Sequence, residues 1–400
     1  MGITEDIIKR TEKYSAHNYH PLDIVISRGD GIWVWDVEGN KYMDMLSAYS
    51  ALNQGHRHPK IIKAAIEQLG LLTLTSRAFH NDVMGVLTEY LAKLTNKDKV
   101  LLMNTGAEAV ETAIKAARKW GYKKKGVAAD KAEIIVCSNN FHGRTTTIVG
   151  FSSEEQYKDG FGPFTPGFKL IPYNSIEDLE QAINENTVAF LVEPIQGEGG
   201  VIVPDEGYLK KAKEITEKNN VLFLADEIQT GFGRTGALFA SYHEKVDPDI
   251  IVVGKALGGG LYPVSGIIAN DNIMDVFTPG DHGSTFGGNP FGAAIAIASL
   301  DVILEENLIE NARELGKYFT EQLKSIKSDK ILQVRGKGLL IGVEIKKEYG
   351  TARPYCEALK KEGILAKETH HQVVRFAPPL TINKEEIDWA LERIKKVLEK

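Results

Sequence analysis

"DIIVVGKALGGGLYP", residues 249–263, sets a lysine at the end of an unbroken apolar run. Ile250, Ile251, Val252 and Val253 do not alternate with polar residues. That is the pattern of a strand covered on both faces, as in a parallel sheet flanked by helices. Similar runs recur: "KVLLM" from Lys99, "EIIVC" from Glu133, "VAFLVE" from Val188, "VLFLAD" from Val221 and "SGIIA" from Ser265. Amphipathic helical patterns lie between several of them, over Gly106 to Trp120 and Tyr208 to Lys218. Strand–helix alternation over about 200 residues predicts a doubly wound, mostly parallel α/β domain that binds ligands at the carboxyl ends of its strands.

Outside this region the pattern changes. Helices are expected over Phe291 to Glu305 and Ile309 to Leu323, then a strand pair, "ILQVRG" with "LLIGVEI", and a last helix from Lys384 to Leu398. This reads as a smaller α+β domain. Near the N-terminus, "GIWVWDVEG" and "KYMDM" form a strand pair turning at Glu38, Gly39 and Asn40. The expected division is an N-terminal segment 1–50, a large domain 51–294 and a small C-terminal domain 295–400.

The bulk properties exclude several function classes. A net charge of -6 gives no basic surface for nucleic acid. No apolar run reaches the roughly 18 residues of a membrane span. MGITEDIIKR lacks a signal pattern, and Cys137 and Cys356 form no disulfide framework, so a cytoplasmic protein is expected. Lys123 to Lys125 read as a solvated helix end. His56, His58, His370 and His371 have no third ligand at zinc-like spacing, so no metal is expected.

Three features place chemistry at strand ends. In "NTGAEAVETAIKAARKW", Thr105 and Glu108 form a capping box, and the small residues Gly106 and Ala107 leave backbone N–H groups open to a phosphate. Asp226 ends an apolar strand, where a carboxylate needs a partner. Gly231, Gly233 and Gly236 spell G-x-G-x-x-G, but they sit too far past that strand for a dinucleotide site. Lys255, after an apolar strand and followed by glycines that permit close approach, is either a surface charge or, if desolvated, a nucleophilic amine.

"NTGAEAVETAIKAAR", "FHGRT", "VEPIQGEGG", "LADEIQTGFGRTG", "GKALGGG" and "HGSTFGGNP" resemble, in order and spacing, the class III pyridoxal-phosphate aminotransferases. The resemblance runs from about Arg28 to the C-terminus. It implies the aspartate-aminotransferase-like fold (fold type I), pyridoxal 5'-phosphate as cofactor, and a homodimer with active sites at the interface. Lys255 would be the Schiff-base lysine, Asp226 the partner of the ring nitrogen, Gln229 a contact to the ring hydroxyl, and Phe141 the stacking ring. Gly106 and Ala107 would hold the phosphate, with Thr285 reaching over from the other subunit. His142, beside Phe141, is expected to affect only cofactor packing.

"SAHNYHPLDIVISRGDG" and "MLSAYSALNQGHRHPKI" resemble the ornithine-using branch of that family. The branch implies transfer of the δ-amino group of L-ornithine to 2-oxoglutarate. Tyr19 and Tyr49 would line the substrate pocket, and Arg144 would take the ornithine α-carboxylate. Arg375 would take the α-carboxylate of glutamate or 2-oxoglutarate, with Glu198 masking it while ornithine is bound. The alternatives are transamination of acetylornithine, 4-aminobutyrate or a diamine, an aminomutase of the same fold, and a non-enzymatic cofactor-binding protein.

Overall fold

The computed structural model describes residues 2–399. The six apolar runs and one further short strand form a seven-stranded sheet. Its strands are β1 (Lys99–Met103), β2 (Glu133–Cys137), β3 (Phe168–Ile171), β4 (Thr187–Val192), β5 (Leu222–Asp226), β6 (Ile250–Val253) and β7 (Ser265–Ala269). Their spatial order is β1-β7-β6-β5-β4-β2-β3. Only β7 runs antiparallel to its neighbours; the rest of the pairs are parallel.

The unbroken apolar runs have a direct cause in the packing. Ile250 and Val252 enter one core, while Ile251 and Val253 enter another on the opposite face. In β5, Leu222 and Leu224 likewise face away from Phe223 and Ala225. Each such side chain contributes about 1.5–3 kcal/mol when removed from water. A single Val252→Asp would place an unpaired charge between layers and break the sheet.

Two smaller sheets complete the molecule. One contains Ile331–Lys337, Leu340–Ile345, Val373–Phe376 and Lys367–Thr369. The other joins the two ends of the chain: Ile26–Asp30, Trp33–Asp36 and Lys41–Asp44 are followed by Ile364–Leu365, paired parallel to Lys41–Asp44. Ile32, Met43 and Met45 therefore share a core with Ile364, Ile387 and Leu391.

One strand carried no sequence signal, and one expectation needs correction. β3 is a short edge strand whose Leu170 stays exposed, so it shows no apolar run. The lysine run is not simply solvated. The helix Gly106–Trp120 continues as a π-turn, Gly121–Lys125, in which Gly121 lies against Val188. That approach turns Lys125 inward, and its Nζ donates to the Thr187 carbonyl at 2.6 Å.

Candidate active site

The carboxyl ends of β1, β2, β4, β5 and β6 meet around a cavity of about 200 Å3. Gly106, Phe141, Glu193, Asp226, Gln229 and Lys255 are among the residues that line it. Parallel strands put their following loops on one edge, which is why segments far apart in sequence converge there.

Lys255 follows β6 by two residues, after the extended Gly254, and has a φ of 43°. Burial pushes its amine below the ordinary lysine range, while Glu198 and Asp226 pull the other way. Asp226 has found its partners. Its Oδ1 accepts from the Ile228 backbone N–H at 3.1 Å, and its Oδ2 lies 2.6 Å from His142 Nδ1. Burial opposes the charged imidazole, yet the bond to Asp226, with the charges of Asp226 and Glu193, holds His142 above the ordinary histidine value. His142 is thus tied to the acid, beyond the packing role expected from sequence.

The helix start is built as its sequence predicts. Glu108 accepts from the N–H groups of Asn104 and Thr105, and Thr105 Oγ1 accepts from Glu108 N. The N–H groups of Gly106 and Ala107 are left for a ligand at the cavity wall. Gly143 approaches so closely that a Cβ there would lie 3.0 Å from the Ala107 side chain.

Glu193 follows β4, and its Oε2 accepts from Phe141 N at 3.0 Å. Burial raises its pKa to about 8. Sequence reading missed it, although an acid one residue past an apolar strand is the same signal that marked Asp226.

A second group of charges adjoins the cavity. Arg375, 1% exposed, donates from Nη1 to Glu198 Oε1 at 2.5 Å, and Gln229 Nε2 donates to the same oxygen at 3.1 Å. Burial pushes the Glu198 carboxyl up, but the positive charges of Arg375 and Lys255 bring it below the usual carboxylate range. Arg375 Nε and Nη2 and Gln229 Oε1 are buried without partners among the described residues. Arg144 stands at the rim with its guanidinium 4.0 Å from the Tyr157 ring centroid. Among the described residues no carboxylate lies within ion-pair distance of it.

Tyr49 lies under Arg375, whose guanidinium is 5.1 Å from its ring centroid. It sits in a left-handed turn in which Ser47, Ala48, Tyr49 and Ser50 have φ of 51°, 47°, 61° and 72°. Asp44 Oδ1 accepts from the N–H groups of Leu46 and Ser47, and Asp44 Oδ2 lies 2.7 Å from His56 Nε2. One further expected site residue adjoins this cluster, and another lies outside it. Tyr19 is 75% exposed and borders a separate cavity with Tyr49. Thr285 is exposed and absent from the cavity wall.

The G-x-G-x-x-G segment serves packing. A Cβ on Gly236 would lie 2.8 Å from Arg313 Cα, and the buried Arg234 donates to the carbonyls of Leu339 and Pro378 and to Asn53 Oδ1.

An amine at one strand end, a carboxylate at another, an open helix start and an orphaned amide oxygen fit pyridoxal phosphate. Lys255 would anchor it, Asp226 face its ring nitrogen, Gln229 Oε1 meet its ring hydroxyl, and Gly106 and Ala107 cup its phosphate. The cavity is that of a pyridoxal-phosphate-dependent enzyme. The class III aminotransferase family matches residues 14–398, and the chain belongs to it. It is 62% identical over 397 residues to an ornithine aminotransferase of Geobacillus sp. (strain WCH70), covering 99% of both chains. It is 60% identical over 398 residues to that of Bacillus subtilis (strain 168), covering 100% of this chain and 98% of the relative. The solved ornithine aminotransferase of Toxoplasma gondii superposes with a TM-score of 0.98 at 47% identity, over 99% of this chain and 94% of that one.

Proposed function

We propose that this protein transfers the δ-amino group of L-ornithine to 2-oxoglutarate, giving glutamate 5-semialdehyde, which cyclises to pyrroline-5-carboxylate, and L-glutamate. The observation that carries the reading is the Glu198–Arg375 pair beside Lys255. A permanently open arginine would seat ornithine by its α-carboxylate and direct the chemistry to the wrong amine. With Glu198 on Arg375, the ornithine carboxylate goes to Arg144 at the rim and the δ-amine reaches Lys255. When a dicarboxylate binds, Glu198 yields, and the free Nε and Nη2 of Arg375 meet its α-carboxylate bidentately.

Pyridoxal phosphate supplies an electron-accepting ring that stabilises negative charge on the amine-bearing carbon. Lys255 Nζ removes the proton from that carbon, and burial, which lowers its pKa, favours the neutral amine that a base requires. Asp226, steadied by His142 and the Ile228 N–H, holds a proton on the ring nitrogen. Tyr49 packs under Arg375, and Tyr19, which lines a cavity together with Tyr49, supplies a hydroxyl for the α-amino end of ornithine. The two substrates take turns in one site, so the kinetics are ping-pong.

The functional unit is a homodimer with Thr285 completing the partner's phosphate site. The exposed Leu69, Leu71, Leu72, Phe79 and Phe286 support this, since an isolated chain gains nothing by leaving such side chains in water. Sedimentation distinguishes dimer from monomer. No helix among the described residues is long and apolar enough to cross a membrane.

The second reading is acetylornithine transamination, because an acetylornithine aminotransferase of Elizabethkingia anophelis superposes with a TM-score of 0.91 at 50% identity. Turnover of ornithine against N-acetylornithine, each with 2-oxoglutarate, decides between them. Faster turnover of the acetylated substrate would reject the ornithine assignment.

A further inference from the structure

Glu198 does not hold itself in place. It sits on the turn Gln196–Gly200, whose ends are bridged by Gln196 and Ile202. The chain leaves this turn through Gly200, with φ of 110°, and Val201, with φ of 53°. Val201 is fully buried, and a β-branched residue in the left-handed region is a backbone outlier that persists only when its surroundings impose it. What imposes it comes from a segment more than 130 residues further along the chain.

Arg335, on the strand Ile331–Lys337, donates from Nε to the carbonyls of Gly200 and Val201, both at 3.1 Å. Its Nη2 donates to the Gly200 carbonyl at 2.7 Å. Nη1 is held by Glu344 on the neighbouring strand and by Gln333 Oε1, so the guanidinium is fixed before it reaches the turn. Thr369 Oγ1 adds a bond to the Glu198 carbonyl at 2.7 Å. Every one of these donors belongs to the same small C-terminal sheet that carries Arg375.

We propose that Arg335 is a positioning residue for substrate selection: by clamping the Gly200–Val201 turn onto the sheet that bears Arg375, it keeps Glu198 over that arginine and so sets which end of ornithine is presented. The argument rests on Glu198 acting as the mask of Arg375. Without the guanidinium, two carbonyls lose their donors and Val201 is free to leave its disfavoured φ. Glu198 then moves away from Arg375 part of the time, and any carboxylate competes for the site on better terms.

The test uses enzyme fully loaded with cofactor in five forms: wild type, Arg335→Met, Arg335→Lys, Thr369→Val and Glu198→Ala. Two quantities are read. One is the dissociation constant of glutarate, a dicarboxylate without a reactive group, measured by calorimetry. The other is the product ratio from ornithine, since δ-transfer yields pyrroline-5-carboxylate and α-transfer yields pyrroline-2-carboxylate. Arg335→Met is expected to bind glutarate about tenfold more tightly, the equivalent of ~1.4 kcal/mol, and to raise the α-product share by a similar factor. Arg335→Lys restores part of both, because an ammonium can hold one carbonyl but not the fork. Thr369→Val moves both in the same direction by less. If Arg335→Met does not yield folded protein, the Lys and Val variants decide, and wild-type values in both would overturn the proposal. A shift in Glu198→Ala with none in the Arg335 variants overturns it while leaving the mask intact. No shift in Glu198→Ala removes the mask itself.

Discussion

Replacing His142 with phenylalanine takes away the Nδ1 that lies 2.6 Å from Asp226 Oδ2 and keeps a ring beside Phe151. The Ile228 N–H still serves Oδ1, so one oxygen of a buried carboxylate loses its partner. A hydrogen bond to a charged group contributes about 1.5–3 kcal/mol, so the variant is expected to lose about 2 kcal/mol under conditions where the imidazole is charged. The folded-state pKa of His142 is raised. Its stabilisation is therefore complete below the unfolded value of about 6.5 and is lost as pH rises through the higher folded value. Urea unfolding of cofactor-free wild type and variant at pH 6 and pH 9 reads this directly. The gap should be wider at pH 6 than at pH 9. A gap that is constant, or wider at pH 9, would mean that the imidazole is not charged in the folded protein.

Three further outcomes follow from other parts of the site. Lys255→Ala should fold, as judged by circular dichroism, yet lose turnover of ornithine by a factor of about 10²–10⁴ or more; turnover at the wild-type rate would reject Lys255 as the base. Glu193→Gln should be more stable than wild type at pH 8 and lose that advantage by pH 5. The raised pKa of about 8 means that ionisation destabilises the fold increasingly as pH climbs from the unfolded value towards 8, and an unchanged difference across that range would refute it. Ala48→Gly should raise the urea midpoint, since a left-handed L-residue costs roughly 1–2 kcal/mol; a lower midpoint would show that the turn is unstrained.

The large sheet was legible because its strands are buried on both faces, and no other arrangement calls for "IIVV" or "LFLA" without a polar break. Asp226, Lys255 and the Gly106 helix start were weak signals one by one, and only their shared place at strand ends, with the motif resemblance, singled them out. Contacts between distant segments were not legible. Asp226 and His142 are 84 residues apart, and Glu198 and Arg375 are 177 apart, and nothing local to either pair encodes the meeting. Resemblance suggested the second pair, whereas His142 was read only as a packing residue. The strained turns were hidden for another reason. "SAYS" and Val201 lack the glycine or asparagine that normally announces a positive φ, because tertiary contacts impose it there. Arg335 carried no signal, since an arginine on a strand reads as a solvent-facing charge until the turn it holds is seen.

The sheet that joins the two ends of the chain also governs when folding can finish. The strand Lys41–Asp44 waits for Ile364–Leu365, which leaves the ribosome more than 300 residues later. At roughly 5–20 residues per second the delay is about 15–60 s. Through that interval the core around Ile32, Met43 and Met45 stays incomplete, since Ile364, Ile387 and Leu391 have yet to be made. The seven-stranded sheet is complete by Ala269 and can assemble during synthesis. The newborn chain thus carries a formed cofactor cup and a sticky, unfinished leading end, and it is this end that a chaperone would meet first.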